Sequence, residues 1–548
     1  MQTCYRLLAI AAIALGACNQ GEKQAAATED STAIRAINET SFTRHLQVLA
    51  ADSLEGRKPF TPGEDKTIRY LQEQFRQLGL KPGNGNSYLQ EVPMVEITSV
   101  PAGPLVFKGQ QGTLSLSYLN DYVATTRRVT PKVQLNNSEV VFAGYGIVAP
   151  EYNWNDYAGL DVKGKTVLVM VNDPGFVDST MFKGKTMTYY GRWTYKYEEA
   201  ARQGAAGIII IHDTAPASYP WSVVRGGWSG AKLYLQTADN DMSRAAMEGW
   251  ITLDAAKELF RLAGVPDTLM QQAHKRGFKP VPLKVSASLA INNKIKRSTS
   301  HNVLAVWPGS DRSHEYIIYS AHWDHLGIGE PVKGDSIYNG AADNATGTAA
   351  LLEIADAFTR LKKRPARSIL FIALTGEEQG LLGSEYYATH PVYPLDSTVA
   401  DLNIDVLNTY GRTTDITIVG KGQSELDEYA ERAAAKQGRT ISPEEHPSGG
   451  HFFRSDHFNF AKVGVPALYA GSGTHSLEHG SDWARSKIEA YGRTRYHAPA
   501  DEFDDTWELS GMVEDTRLLF DIGLTLSNES TFPKWKEGSE FKAAREKK

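Results

Sequence analysis

Histidine and carboxylate side chains cluster at the ends of apolar runs in the second half of this 548-residue chain. Three runs carry them: His322 and Asp324 follow residues 316–319, Glu377 and Glu378 follow residues 369–374, and Asp405 lies within residues 402–406. Asp343 precedes an amphipathic segment, and His497 stands much further along the chain. Imidazole nitrogens and carboxylate oxygens can bind divalent metals, and carboxylates can transfer protons. These residue types therefore suit metal-assisted or acid–base chemistry.

Each of these groups also has an ordinary structural explanation when it is taken alone. A His-x-Asp pair is usually a surface feature, paired glutamates at a helix start complement the helix dipole, and an Asp-Asn turn can cap a helix. A functional site is favoured because the groups stand at the strand ends of one predicted domain. Ligands bind at the carboxyl ends of the strands in open α/β sheets.

The elements that must position these side chains alternate between strands and helices. The apolar runs 316–319 and 369–374 predict strands, and a helix between them has Leu351, Ile354 and Phe358 on one face. Continuous apolar strands that alternate with amphipathic helices indicate an α/β fold, with a mostly parallel mixed sheet flanked by helices.

The first half of the chain divides into a helical start and a β-rich middle. Ile68, Leu71 and Phe75 recur at helical spacing before Gly79. Strand-like runs at 140–147, 164–171 and 204–211 then predict an inserted domain. The predicted organisation is a signal peptide at 1–18, a tether at 19–41, the first part of the main domain at 42–114, the insertion at 115–292, the rest of the main domain at 293–530 and a charged tail at 531–548.

The motifs resemble peptidase family M28, a family of zinc peptidases, over nearly the whole mature chain. The matching segments are 49–57 and 61–64 near the start, then 322–325, 343–347, 375–378, 403–405 and 496–501. The resemblance implies two zinc ions, with cobalt or manganese as substitutes. It assigns His322 and Asp405 to one ion, Glu378 and His497 to the other, and Asp343 to both, because a carboxylate can bridge two ions and an imidazole cannot.

The same resemblance implies roles for the neighbouring residues. Asp324 would accept a hydrogen bond from a ligand imidazole, and Glu377 would act as the general base. The hydroxyl of Tyr496 would stabilise the oxyanion, and the peptide bond from Asp343 to Asn344 would be cis.

The segment 452–458 also resembles a block of that family. Phe453, Asp456 and His457 would line a substrate pocket there, although plain packing explains these side chains equally well. The implied fold is a zinc-peptidase phosphorylase/hydrolase-like fold, and the insertion at 115–292 resembles the protease-associated domain.

The expected function is an aminopeptidase that removes the first residue of a peptide. Three alternatives stay open on sequence grounds: a glutamate-releasing carboxypeptidase, a glutaminyl cyclase with one zinc ion, and a binding protein without activity. The formal net charge of −6 gives no reason to expect nucleic acid as a partner.

The N-terminus predicts export. Arg6 precedes the apolar run 7–15, and the following residues 15–18 resemble a bacterial lipobox that ends at Cys18. Lipidation of Cys18 would anchor the protein in the cell envelope, facing the periplasm from the outer membrane, whereas a plain secretory signal would release it. Cys4 and Cys18 are the two cysteines of the sequence, so the mature chain could form no internal disulfide.

Overall fold

The computed structural model describes residues 32–266 and 268–546, which form a main domain and an inserted domain. The main domain contains a mixed sheet of eight long or medium strands. In spatial order they are Leu89–Pro101, Val281–Trp307, Arg367–Leu374, Arg312–His322, Thr398–Asn403, Ala467–Ser472, Asp415–Ile418 and Thr440–Ser442. The short strand Lys81–Pro82 pairs with the end of Val281–Trp307, and the hairpin Gly327–Val332 with Asp335–Tyr338 stands apart from the sheet.

The centre of this sheet is parallel, as the continuous apolar runs predict. Arg312–His322 pairs in parallel with Arg367–Leu374 on one side and with Thr398–Asn403 on the other. Every residue of the latter two strands is buried, because helices cover both faces of the sheet. The mostly parallel sheet flanked by helices is therefore confirmed, with antiparallel strands at its edges.

Helices of the main domain cover this sheet and its connections. They are Glu39–Leu49, Pro62–Gln77, Thr346–Thr359, Leu382–Thr389, Leu426–Lys436, His457–Lys462, Ser481–Thr494, Ser510–Asn528 and Lys542–Glu546. Thr346–Thr359 is buried along almost its whole length, because it packs between the sheet and Ser510–Asn528. Its start lies beside the carboxyl ends of the strands, where the predicted ligands are.

The inserted domain is a second β-rich body with its own apolar core. Its strands are Leu105–Gly109, Gly112–Leu116, Tyr122–Thr125, Lys132–Phe142, Val148–Ala149, Trp154–Asn155, Thr166–Met170, Gly207–His212, Ala231–Leu235 and Met247–Thr252. Its helices are Trp193–Arg202, Thr214–Ala217, Trp221–Gly227, Leu253–Ala263 and Thr268–Gln272. Leu105–Gly109 pairs with residues 285–288, so the sheet of this domain already includes a strand that precedes residue 115.

Two strands join the domains. Val281–Trp307 has 27 residues; its first part pairs with Lys132–Phe142 of the inserted domain, and its last part pairs with Arg367–Leu374 of the main sheet. Between these parts it pairs with Leu89–Pro101 in one unbroken register. The connection between the domains is therefore a hydrogen-bonded ladder.

Both ends of the described chain differ from the sequence prediction. Ala33 and Ile37 are fully buried in the main core, so folded structure begins before Phe42. At the other end Trp535 and Phe541 are buried, so the charged tail predicted at 531–548 is packed against the main domain at these positions. Cys18 lies outside the described residues, and lipidation there stays a prediction. Among the described residues no helix is both long and apolar enough to span a bilayer.

Replacement of Gly523 tests the packing of helix Ser510–Asn528 on the sheet. A Cβ at Gly523 would overlap the hydroxyl of Tyr319, which is fully buried and donates a hydrogen bond to the carbonyl of Leu519 at 2.8 Å. We expect Gly523→Ala to lower the free energy of unfolding by about 1–3 kcal/mol, the usual cost of overpacking a core. Gly492→Ala is the control, because a Cβ on that helical glycine meets no atom within 4 Å. Equal urea midpoints for the two variants would contradict the packing described.

Candidate metal centre

The five predicted ligands converge on Asp343. The Nε2 atom of His322 lies 3.3 Å from one Asp343 oxygen and 3.2 Å from an Asp405 oxygen. The Nε2 atom of His497 lies 3.3 Å from the other Asp343 oxygen and 3.1 Å from a Glu378 oxygen. Asp343 therefore stands between a His322–Asp405 group and a His497–Glu378 group, as the resemblance implies.

The sheet explains this convergence. His322 is the last residue of its strand, Glu377 and Glu378 lie just beyond the neighbouring strand Arg367–Leu374, and Asp405 lies just beyond Thr398–Asn403. Adjacent parallel strands end at the same edge of a sheet, so their following residues meet there. Asp343 lies in the irregular turn before helix Thr346–Thr359, and His497 follows helix Ser481–Thr494.

Buried hydrogen bonds fix the turn that carries Asp343. The carboxylate of Asp501 accepts from the backbone N–H groups of Ala342 and Asp343, both at 3.1 Å. The side chain of Asn344 donates to the carbonyl of Ile404 at 2.9 Å, and its oxygen accepts from the N–H of Val406 at 3.1 Å. The peptide bond from Asp343 to Asn344 is cis, as the resemblance implies. Hydrogen bonds of Asn344 thus connect the turn at Asp343 to residues 404 and 406, on either side of Asp405.

Arg57 places a positive charge beneath the site. Its guanidinium is fully buried and donates to four backbone carbonyls, those of Leu49, Trp323, Asn339 and Gly340. Burial lowers the pKa of Arg57 to about 10, and the nearby carboxylates of Asp324 and Asp501 oppose that shift. The side chain therefore stays cationic at neutral pH and offsets part of the negative charge above it.

The buried charges fit a bound metal. Burial lowers the pKa of His497, but hydrogen bonds to Asp343 and Glu378 outweigh it and raise that pKa to about 10. Burial also raises the pKa of Glu377 well above its ordinary value. Crowded, buried carboxylates need a counter-charge, and divalent cations supply one.

His325 adds a second indication of a metal. Its Nδ1 atom lies 2.6 Å from Glu378 Oε1, yet neither atom makes a well-aligned hydrogen bond within the described chain. His325, Asp343 and Glu378 form one group of potential ligands, and His322, Glu377 and Asp405 form another, each with its ligand atoms within 4.8 Å of one another. Nitrogen and carboxylate donors of this kind suit zinc.

Asp324 and Glu377 both lie beside His322. The Nδ1 atom of His322 is 3.1 Å from the backbone carbonyl of Asp324 and 3.8 Å from its carboxylate. The carboxylate of Asp324 accepts from the N–H of Glu377 at 3.1 Å, so Asp324 contacts both residues. Burial raises the pKa of Asp324 to about 8. The carboxylate of Glu377 reaches to 3.9 Å from His322 Nε2.

A cleft of about 650 Å³ opens beside these residues, between the main and inserted domains. Glu377, Glu378, Tyr496 and His497 lie along the main-domain side. The ring of Tyr496 is half exposed and stacks on His497, with ring centroids 3.9 Å apart. Aromatic side chains supply much of the opposite wall, and they are Trp193, Tyr197, Tyr219, Trp228 and Tyr234.

Of the three residues predicted to line a substrate pocket, one lines the cleft and two are buried in the domain. Phe453 lines the cleft. Asp456 and His457 are fully buried and do not reach it: Asp456 accepts a hydrogen bond from Ser384 at 2.6 Å, and the His457 ring packs against Phe452. Burial lowers the pKa of His457 to about 3, so the imidazole is neutral. The structure thus corrects the prediction for these two side chains, which face the interior of the domain.

Sequence reasoning missed Arg57, His325 and Asp501. His325 stands in the same His-x-Asp-His stretch as His322, and that spacing is a signal for it. Arg57 and Asp501 lie inside the matching segments 49–57 and 496–501, but their partners are mainly backbone groups. Backbone partners leave no pattern in the sequence.

Substitution of Asp501 tests whether the Asp343 turn is held for metal binding. Asp501→Asn replaces one of two accepting oxygens with an NH₂ group, and loss of such outer support typically costs ~10–100-fold in metal affinity. We expect zinc affinity, measured by competition with a chelating dye, to fall by that factor. Asp504→Asn is the control, because Asp504 is more exposed and pairs with Arg495. Unchanged affinity in Asp501→Asn would show that the turn needs no such support.

The chain resembles known peptidases over part or most of its length. The model for peptidase family M28 matches residues 302–520. The aminopeptidase NAALADL1 of Mus musculus is 36% identical over 138 residues, which cover 24% of this chain and 17% of that protein. Carboxypeptidase Q of Xenopus laevis is 30% identical over 232 residues, or 42% of this chain and 40% of that protein. A probable leucine aminopeptidase 2 of Aspergillus oryzae is 23% identical over 481 residues, or 86% and 80% of the two chains.

The matches to the mouse and frog relatives span less than half of either protein. The matched family segment contains all five residues that surround the predicted metal centre, together with Glu377. Residues 302–520 therefore match peptidase family M28.

Proposed function

We propose that this protein is a zinc-dependent exopeptidase, and specifically an aminopeptidase that removes N-terminal residues from peptides. One observation carries the proposal: Asp343 stands between His322 and His497, with one oxygen 3.3 Å from each imidazole, and Glu377, Glu378 and His497 beside it line the cleft. The relatives named as aminopeptidases support the specific activity. The N-terminal sequence further supports export and a lipid anchor at Cys18 in the cell envelope, and the insertion is proposed to be a protease-associated domain.

The donor set fits two ions. His322 and Asp405 would hold one, Glu378 and His497 the other, and Asp343 both, while His325 stands within reach of the second group. When bound, zinc supplies Lewis acidity and lowers the pKa of water toward about 7. The chain contributes the cleft, the proton transfer and the orientation of the groups.

Glu377 is the general base in this proposal. Its backbone N–H is held by the carboxylate of Asp324, and its own carboxylate faces the cleft floor. Burial raises its pKa, which brings it nearer to the pH at which a carboxylate both takes and returns a proton. It would accept a proton from the attacking water and deliver it to the leaving amine. The hydroxyl of Tyr496, beside His497, would donate to the oxyanion.

Glu377→Gln tests this role. The amide keeps the size of the side chain but cannot take a proton, so we expect kcat on aminoacyl-nitroanilides to fall by ~10²–10⁴-fold, the usual contribution of a general base. Zinc content, measured by elemental analysis, should not change. Glu489→Gln is the control, since this glutamate is exposed on helix Ser481–Thr494. Full activity in Glu377→Gln would refute Glu377 as the general base. If the wild-type protein cleaved only N-blocked peptides, the proposed aminopeptidase activity would be refuted.

A second candidate function has its own observation. Arg192 of the inserted domain and Arg454 of the main domain line the same cleft as Glu377, and among the described residues neither forms an ion pair with a carboxylate. The Nε of Arg192 also has no hydrogen-bond partner there. Burial and the charge of Arg454 lower the pKa of Arg192 to about 10, which leaves it cationic at neutral pH.

Two neighbouring guanidinium groups without a counter-ion favour an anionic ligand. The free carboxylate of a substrate would satisfy them, and this favours a carboxypeptidase or an aminopeptidase that prefers short peptides with a free C-terminus. The carboxypeptidase relative supports the first of these possibilities.

Arg192→Met separates these possibilities from an aminopeptidase that ignores the C-terminus. If the pair binds a carboxylate, KM for a dipeptide should rise by ~10-fold or more, equivalent to about 1.4 kcal/mol, while KM for its C-terminal amide should not change. Arg225→Met is the control, because Arg225 is exposed on the inserted domain. Equal effects on acid and amide would exclude carboxylate recognition by Arg192. Wild-type cleavage of an N-blocked dipeptide would identify a carboxypeptidase.

A further inference from the structure

The segment that follows helix Ser510–Asn528 crosses the main domain; we name residues 532–546 the C-terminal strap. The indole N–H of Trp535 donates to the carbonyl of Gly464 at 2.9 Å. The ring of Phe541 stacks on Phe452 with centroids 5.7 Å apart. Near its end, Arg545 donates to the carbonyls of Leu395 and Thr398, both at 2.9 Å. The strap is therefore fixed to the main domain along its length.

One side chain of the strap reaches the inserted domain. A Glu540 oxygen lies 2.7 Å from the Lys183 ammonium, and the other accepts from the backbone N–H of Tyr189 at 3.2 Å. The Glu540 side chain is only 2% exposed, so its charge depends on these partners. Loss of one member of a buried ion pair leaves the other uncompensated, which is costly.

Tyr189, whose backbone N–H donates to Glu540, packs against residues of the cleft wall. The ring of Tyr189 packs on Phe458 and Phe453, with centroids 5.1 and 6.1 Å away. Its hydroxyl bonds to Glu198, which also pairs with Lys462 at 2.9 Å. All four of these partners line the cleft. Tyr189 thus links Glu540 to the wall that substrates would touch.

We propose that Glu540 is a positioning residue, which sets the place of the inserted-domain wall by holding Lys183 and Tyr189. The inference rests on the proposed function in one respect, because its kinetic consequence requires a peptide in the cleft. A substrate that extends across the cleft should depend on this wall, whereas an aminoacyl-nitroanilide, which occupies only the metal side, should not.

Two single variants and their combination test the proposal. Glu540→Gln keeps an acceptor for the Tyr189 N–H but removes the charge, and Lys183→Met leaves Glu540 uncompensated. We expect either change to speed amide hydrogen exchange in residues 189–198 and to raise KM for a hexapeptide on the order of tenfold, or about 1.4 kcal/mol. For the nitroanilide, kcat and KM should stay within about twofold. In the double variant KM for the hexapeptide should rise by less than the two single effects combined, because neither Glu540 nor Lys183 is left as an unpaired buried charge.

Lys542→Met is the matched control, since Lys542 lies on the same strap and, within residues 32–266 and 268–546, forms ion pairs only with the strap residues Glu537 and Glu546. Unchanged exchange in residues 189–198, or parallel changes in kcat and KM for both substrates, would overturn the positioning role in favour of general stability. If the wild type cleaved no peptide, the proposed function would fail, and the exchange data alone would decide the role of Glu540.

Discussion

The carboxylates of Asp343, Glu377, Glu378 and Asp405 lie together at one edge of a buried sheet, and their mutual repulsion is the constraint on which the site depends. Such a concentration of like charge is unstable in a protein interior unless cations balance it. The chain provides part of that balance through Arg57 and the ligand imidazoles, and the arrangement leaves the remainder to bound metal. The hydrogen bonds that the Asp501 carboxylate accepts and that the Asn344 amide donates hold the turn in place against this repulsion.

The ligand positions were predictable because parallel strands end at one edge. His322, Glu377 and Asp405 each follow an apolar run, and the topology alone brings them together. The opening segment 49–57 and the turn at Asp343 were recognised by resemblance. Asp456 and His457 could not be placed in this way, because local sequence does not tell whether a polar residue beside a site faces the cleft or the core. They face the core, where one oxygen of Asp456 accepts a hydrogen bond from Ser384.

Other features escaped prediction because they depend on contacts between distant parts of the chain. The strap has a charged composition, so its two buried aromatic residues carry little weight in any local pattern. Phe541 packs on Phe452, and the indole of Trp535 donates to the carbonyl of Gly464, so both rings are buried by contacts with distant residues. The start of the inserted domain is similar: Leu105–Gly109 belongs to it through pairing with residues nearly two hundred positions later. The cleft is the joint product of these long-range contacts.

The continuous strand Val281–Trp307 has a mechanical consequence. Domains that close around a ligand usually swing on a few loop residues that absorb the rotation. Here the thirteen paired positions between residues 89–101 and 291–303 replace such a hinge by a stiff β-ribbon, which can twist or bend only as a whole. The ribbon therefore limits how far the two domains can move apart, and local contacts such as that of Glu540 position the wall within that limit. The width of the cleft would then limit the size of the molecules that can enter it.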